Sequence, residues 1–325
     1  MSVTPPADAL PQQPYARYGA YFLNGDLSAI QRNAGSAMTC GDASNGTENR
    51  EKWRTRGCCG SAYFIGGGKA GSTTMAMLLK FSPRDGYAHH DPLSPFVHAG
   101  KEACWAMFGS ASSSESYFSR FADCDRRRDG SVCVQREAEG APPLVALDAC
   151  PRYTTALHAE RIACVHPDTR FIMLVREPVS RVVSHYNDQR LRGGKRMSVD
   201  AAMQTVLRSS HGQGARSLEW RLSDYADTLV NFLRFFDPEQ ILVVHSAALS
   251  QDTPDLQRLM DVVCDHLGVA HRQVETIFSN DHMHKRKDEY LRPNANVTAV
   301  LHRAFHPSVR RLYTMLGTDL GWEGY

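Results

Sequence analysis

Two segments of this chain, YFIGGGKAGSTTMAMLLK over Tyr63–Lys80 and RFIMLVREPVSRVVSHY over Arg170–Tyr186, follow one pattern. Each begins with an apolar run typical of a buried strand and passes through a polar turn into a helical repeat. Each also places a cation and hydroxyl groups at that turn, and the N–H groups that begin a helix favour anions. The two segments therefore predict one nucleotide that is bound at both ends.

The first turn offers a phosphate several groups at once. Glycines at 66–68 permit a close approach of the backbone, and a lysine and three hydroxyl residues follow. The candidate donor-binding residues in this loop are Gly68, Lys69, Ala70, Gly71, Ser72, Thr73 and Thr74. It is not a Walker A loop, because Tyr63 stands where that loop has glycine and Ala70 where it has Ser or Thr. The alternative interpretation is a glycine-rich turn that binds no ligand.

The second turn combines an arginine and a serine. Residues 171–175 form a continuous apolar run, as in a strand buried on both faces, and Arg176 follows at its carboxyl end. A proline then suits the first turn of a helix, and Ser184 lies about two turns further on. The arginine fork and the serine can converge on one phosphate. Alternatively, Arg176 pairs with an acidic neighbour, Glu177 or Asp188.

Strand and helix patterns alternate on either side of these segments. Strand patterns lie at 61–66, 95–99, 142–149, 171–175 and 241–245, and helical patterns lie at 72–81, 154–165, 218–236, 256–267 and close to the C-terminus. This alternation predicts an α/β fold with a central, mainly parallel sheet flanked by helices. Ligands of such sheets bind at the carboxyl ends of the strands, where both phosphate turns fall.

Composition predicts one sizeable core. Of 325 residues, 42% are hydrophobic and 22% are charged. We expect an irregular N-terminal extension over 1–60, which is rich in Pro, Gly, Asn and Thr, and one domain over 61–325. The net charge of +2 is too small to indicate a nucleic-acid partner. Basic clusters at 126–128, 190–196 and 285–287 either line a groove for a polyanionic acceptor or form solvated surface.

Taken together, GKAGSTT and RFIMLVREPVSRVVSHY resemble the 5′-phosphosulfate loop and the 3′-phosphate motif of sulfotransferases that use 3′-phosphoadenosine 5′-phosphosulfate (PAPS). The likeness continues through residues 222–249 and the closing FHPSVRRLYTMLGTDLGW, and it is greatest to the heparan sulfate glucosaminyl N- and 3-O-sulfotransferases. It implies a sulfotransferase domain of P-loop-like architecture, related to that of nucleotide kinases. It also implies PAPS as co-substrate, PAP (3′-phosphoadenosine 5′-phosphate) as product, and no metal.

The resemblance also implies two catalytic residues, Glu102 in VHAGKEACWAMFG as general base and Lys69 as the cation at the leaving phosphate. The chemistry needs both, since the acceptor must lose a proton as it attacks and charge grows on the leaving oxygen. His98 is an alternative base, because cytosolic sulfotransferases use a histidine. Outside this resemblance, Glu102 is a surface carboxylate paired with Lys101.

Departures from the family pattern concern a loop and the acceptor. The basic stretch over 279–294 corresponds to a loop that closes over the nucleotide, with Arg286 or Lys287 as the expected contact, but it lacks the usual cysteine pair. Ala103, Cys104 and Trp105 replace an aromatic pair in the segment that faces the acceptor in relatives. The resemblance favours a glycan acceptor, and a small molecule such as a toxin, lipid or phenol is the alternative.

Other functions and the compartment stay open. A nucleotide kinase of related topology is disfavoured by the missing Walker A spacing. A noncatalytic nucleotide- or glycan-binding relative is expected to lose Lys69 or Glu102, and the chain has both. No long apolar run or signal-peptide pattern is evident, and nine cysteines do not decide the compartment. We expect either the cytoplasm or the Golgi lumen, the latter with a membrane anchor outside this chain.

Overall fold

The computed structural model describes residues 15–31, 60–80, 96–98, 104, 145–193, 197–209, 217–250, 253–271, 273–274 and 290–325. The strands in these ranges are β1 Ala20–Tyr21, β2 Gly60–Gly66, β3 Phe96–His98, β4 Val145–Asp148, β5 Arg170–Val175 and β6 Ile241–His245. They form one sheet in the order β1-β6-β5-β2-β4-β3. Only β1 is antiparallel to its neighbour, so the predicted α/β fold with a mainly parallel sheet is confirmed.

The described helices match most of the predicted helical patterns. They are α1 Ser72–Lys80, α2 Ala156–Val165, α3 Pro178–Leu191, α4 Val199–Arg208, α5 Leu218–Arg221, α6 Tyr225–Leu233, α7 Thr253–Leu267 and α8 Ala295–Leu316. The pattern over 218–236 predicted one helix, but the chain forms α5 and α6 there. The break occurs because Asp224 caps α6, its side chain accepting from the amide of Asp227. None of the described helices is both long and apolar enough to cross a membrane.

Helices cover both faces of the sheet. Alternate residues of β2, β5 and β6 point to opposite faces, so each strand contributes side chains to two hydrophobic cores, one on each face of the sheet. On one face Tyr63, Phe171 and Val243 pack with α2, α6 and the end of α8. On the other face Phe64 and Leu174 pack with α1 and α7. The five apolar residues of β5 are buried, as expected for a strand covered on both sides.

Part of the predicted N-terminal extension belongs to the sheet. Tyr21 pairs with Val243, which adds β1 to the edge of β6. The amide of Gly25 donates to the carbonyl of Met315 at 3.0 Å. A Cβ at Gly25 would lie 1.8 Å from the carbonyl oxygen of Thr314, so this contact with α8 requires glycine. Residues 15–31 therefore pack with the rest of the fold, and the boundary near residue 60 remains a prediction.

Candidate active site

Both predicted phosphate turns lie at the carboxyl edge of the sheet, near its centre. This placement follows from the parallel pairing of β2 with β5, in which Gly66 is opposite Leu174. The turn after β2 leads into α1, and the turn after β5 leads into α3. The side chains that follow the two strands therefore meet, as the sequence pattern predicted.

The loop after β2 is tightly packed and has an unusual backbone. Lys69 has a φ of 73°, a left-handed conformation that non-glycine residues seldom adopt. A Cβ at Gly67 would lie 2.4 Å from the carbonyl oxygen of Leu222, so only glycine fits there. The surrounding structure must hold Lys69 in this conformation. The packing around the loop thus fixes its conformation.

Two arginines of the second motif hold this loop by its carbonyl groups. Arg176 Nη1 donates to the carbonyl of Lys69 and Arg181 Nη1 donates to the carbonyl of Gly68, each at 3.3 Å. Arg181 is fully buried and also donates to Ser223 Oγ at 2.6 Å and to the carbonyl of Glu219 at 2.9 Å. Burial lowers the pKa of Arg181 to about 10, so the guanidinium is still charged at neutral pH. Arg181 is a scaffold for the loop, whereas Arg176 is only half-buried.

The backbone of Arg176 is fixed by one phenol. The hydroxyl of Tyr225 accepts from the amide of Arg176 at 3.2 Å and donates to its carbonyl at 2.8 Å. Burial raises the pKa of Tyr225 to about 12, which keeps this hydroxyl neutral. The strand-end arginine is therefore aimed by a residue of α6, far away in the sequence.

The N-terminus of α3 is capped by the carboxylate of Glu177. Glu177 accepts from the amides of Val179 at 2.7 Å and Ser180 at 2.6 Å, and the hydroxyl of Tyr325 donates to it at 2.7 Å. Glu177 thus takes two of the N–H groups that the sequence pattern offered to a phosphate. An anion at this second turn would therefore have to be bound by side chains, among which Arg176 and Ser184 are the predicted pair.

Tyr290 lies beside the predicted pair Arg176 and Ser184, and the sequence reasoning missed it as a candidate site residue. Burial raises the pKa of Tyr290, while nearby Arg176 and a hydrogen bond with Ser184 oppose that rise. Buried Asn187 fixes the next residue, since its Nδ2 donates to the carbonyl of Leu291 and its Oδ1 accepts from the amide of Leu291, both at 2.9 Å. The only sequence signal for Tyr290 is an aromatic residue within the predicted basic loop, three residues after Lys287.

Lys69 makes an ion pair within the site. Its ammonium lies 3.1 Å from Asp188 Oδ1, and Arg192 Nε lies 3.1 Å from Asp188 Oδ2. Burial favours the neutral acid, but the hydrogen bonds and charges of these two cations outweigh it and lower the pKa of Asp188. The alternative in which Arg176 pairs with Asp188 is thus replaced by a pair with Lys69.

A neutral histidine lies beside this pair. Burial first, and then the charge of Arg181, lower the pKa of His185 to about 4. Its Nε2 lies 3.1 Å from Gln189 Nε2, and its buried Nδ1 has no hydrogen-bond partner among the described residues. His185 is therefore uncharged at neutral pH and adds no charge to the site.

Several predicted residues lie outside the described ranges, namely Glu102, Arg286 and Lys287. His98 ends β3, so its backbone is at the carboxyl edge of the sheet. A disulfide joins Cys104 to Cys150, with a Cα–Cα distance of 5.1 Å. The disulfide therefore links Cys104, two residues after Glu102, to Cys150, the second residue after β4. The assignment of the base remains a prediction.

The comparison with a family model decides the family. A model described as "Sulfotransferase family" matches residues 64–273, which include both phosphate turns. The chain belongs to the sulfotransferase family. The resemblance stated from the two motifs is thereby confirmed. Among the described residues of this family member, no three His, Cys, Asp or Glu side chains are grouped so that they could hold a metal ion.

Individual relatives agree with this assignment. The chain is 28% identical over 199 residues to heparan sulfate glucosamine 3-O-sulfotransferase 6 of Mus musculus, covering 55% of this chain and 57% of that protein. It is 25% identical over 209 residues to heparan sulfate glucosamine 3-O-sulfotransferase 3A1 of Homo sapiens, covering 55% and 48%. The chain thus spans about half the length of the curated relatives it matches. A solved sulfotransferase from Alicyclobacillus acidocaldarius shares the fold, with a TM-score of 0.55 at 16% identity over 80% of this chain and 96% of that one.

Proposed function

We propose that this chain transfers a sulfuryl group from PAPS to a hydroxyl or amine of an acceptor. The observation that carries the proposal is the meeting of the two turns, in which Arg176 binds the carbonyl of Lys69 and Asp188, one helical turn beyond Ser184, binds the Lys69 ammonium. One lysine, one arginine and one hydroxyl thus face the same edge of the sheet. Membership of the sulfotransferase family supports sulfur rather than phosphorus as the atom transferred.

Each residue has a role in this reaction. The loop Gly68–Thr74 and Lys69 bind the 5′-phosphosulfate, while Arg176 and Ser184 bind the 3′-phosphate. The acceptor oxygen or nitrogen forms the new bond to sulfur. The bond from sulfur to the 5′-phosphate oxygen breaks, and its electron pair remains on PAP, where Lys69 offsets the charge. Glu102 takes the acceptor proton, and His98 is the alternative base.

The relatives support a glycan as the acceptor, since their names specify heparan sulfate glucosamine. A small-molecule acceptor is the alternative, and a noncatalytic nucleotide- or glycan-binding protein is the alternative of another class. In the closed complex we expect Arg286 or Lys287 to reach the nucleotide, because Tyr290 of the same loop lies beside Ser184. The Cys104–Cys150 disulfide favours an oxidising compartment over the cytoplasm.

Transfer of labelled sulfate from PAPS to panels of glycans and small molecules tests this function. Lys69→Ala is expected to lower kcat by about a hundredfold or more, since a charge-stabilising group at the leaving oxygen is lost. Glu102→Gln is expected to abolish most turnover as well. The matched control is Arg234→Ala, which removes an exposed cation in the turn after α6, near the opposite edge of the sheet.

The outcomes separate the alternatives. Full turnover in Glu102→Gln would remove Glu102 as base and favour His98. Binding of PAP by a wild-type protein that sulfates none of the acceptors would favour the noncatalytic alternative. A wild-type protein with no affinity for PAP would contradict the proposed function as a whole.

Tyr290→Phe tests a further candidate for the donor site, which lies beside Ser184. We expect the affinity for PAP to fall by about tenfold, because a hydroxyl beside Ser184 and Arg176 can donate to a phosphate and a charged hydrogen bond is worth about 1.5–3 kcal/mol. Calorimetric titration with PAP measures the change. Tyr15→Phe is the control, since Tyr15 is an exposed tyrosine before β1. Unchanged affinity in Tyr290→Phe would mean that this phenol only covers Ser184.

A further inference from the structure

One carboxylate lies among the cations of the proposed donor site, and the reaction described above gives it no role. Asp188 binds Lys69 through Oδ1 and Arg192 through Oδ2, each at 3.1 Å. The donor and its product PAP are polyanions. The fixed negative charge of Asp188 repels these nucleotides and opposes their binding. A carboxylate at this position of an anion site therefore requires a separate role.

The position of Asp188 allows its charge to act strongly on Lys69. It lies on α3 one turn beyond Ser184, so it connects the helix of the proposed 3′-phosphate turn to the lysine of the 5′ loop. The side chains of Lys69 and Asp188 are only 34% and 28% exposed. Solvent and salt therefore screen this pair less than they screen a surface pair. Neighbouring His185 is neutral, so it does not compete as a cation with Lys69 for the carboxylate.

In the proposed reaction, the Asp188 carboxylate and the phosphate of the nucleotide both bind the ammonium of Lys69. It has three N–H donors, of which Asp188 takes one in this structure. A phosphate that binds the remaining donors must share the positive charge with the carboxylate. The carboxylate itself is held by Arg192, which hydrogen bonds it from the next turn of the chain.

We propose that Asp188 is a positioning residue that shares Lys69 with the leaving phosphate and so weakens retention of PAP. The proposal rests on the proposed function. When the loop is empty, Asp188 orients Lys69 across the site. When PAP has formed, the same carboxylate reclaims part of the ammonium, and the nucleotide leaves faster than a site with an unshared lysine would allow.

Asp188→Asn removes the charge and keeps the shape. We expect it to raise the affinity for PAP by about tenfold and to slow PAP release in a stopped-flow displacement experiment by a similar factor. The single-turnover rate of sulfuryl transfer is expected to change much less than the release rate. Asp188→Glu keeps the charge and is expected to retain the wild-type affinity within about threefold.

Two further comparisons distinguish sharing from other effects. In the Lys69→Ala background, Asp188→Asn is expected to have little effect on PAP affinity, because the shared cation is absent. Arg192→Ala leaves Asp188 to Lys69 alone and is expected to lower the affinity for PAP. An equal gain in the Lys69→Ala background would show plain repulsion, and a gain in Arg192→Ala would show loosening of the end of α3; either result would overturn the proposal.

The failure of this inference differs from that of the proposed function. Wild-type protein that binds PAP, together with an Asp188→Asn variant of unchanged affinity and release rate, contradicts the role of Asp188 alone. Wild-type protein that does not bind PAP contradicts the proposed function first. Asp188→Asn and Arg192→Ala both retain Lys69, so their affinities and release rates test the role of Asp188 even if Lys69→Ala binds PAP too weakly to measure.

Discussion

Arg181→Met is expected to lower the free energy of unfolding by about 3 kcal/mol or more. The guanidinium is fully buried and donates to Ser223 Oγ, to the carbonyl of Glu219 and to the carbonyl of Gly68. Methionine fills much of the space but donates nothing, and each buried group left without its partner costs about 1–3 kcal/mol. Urea denaturation followed by circular dichroism measures the loss.

Two controls test the explanation. Arg181→Lys keeps the charge but cannot present a planar fork to three acceptors, so an intermediate loss is expected. Arg310→Met removes an exposed arginine from α8 and is expected to change stability by about 0.5 kcal/mol at most. Equal stability of Arg181→Met and Arg310→Met would contradict this explanation. It would mean that water can satisfy the hydrogen-bond partners of Arg181, although the side chain is fully buried.

The same variant bears on the loop after β2, the proposed donor loop. Arg181 is one of two arginines that hold the loop carbonyls, and Gly67 packs against Leu222 beside it. Loss of Arg181 is therefore expected to weaken PAP binding even under conditions where the variant is folded. The second predicted phosphate motif thus contributes a scaffold for the loop of the first.

The sequence predicted the centre of the fold because its signals there are local. Continuous apolar runs indicated β2 and β5, and glycine or arginine at their ends indicated phosphate turns. Parallel neighbours end at the same edge, so the nearness of Lys69 to the second turn followed from the fold class alone. The two-residue strand β1 gave no such signal, because it is too short for any periodicity to appear.

Roles within the site depended on contacts that no local pattern encodes. Arg181 and Arg176 are both arginines of one motif, and only the contacts of Arg181 with Ser223 and Glu219 distinguish the buried scaffold from the half-buried cation. Tyr290 contacts Ser184 across a long stretch of sequence. The pairing of Lys69 with Asp188 is likewise a product of the folded chain.

Replacing both Cys104 and Cys150 with alanine is expected to lower the free energy of unfolding by about 4 kcal/mol, because the disulfide closes a loop with a sequence separation of 46. Both residues are buried in the core that contains Tyr63 and Tyr153. The double variant is preferable to a reducing agent, since Cys164 also forms a disulfide that a reductant would break. Thermal and urea unfolding measure the change.

Cys264→Ala is the matched control, since it removes a buried sulfur from the opposite core without opening a loop. A loss in the double variant no greater than in this control would mean that the disulfide does not restrict the unfolded chain. A functional effect is expected as well, because Cys104 closely follows Glu102. At temperatures where the double variant is folded, turnover should fall while PAP affinity persists, since Lys69, Arg176 and Ser184 lie on elements that the disulfide does not join.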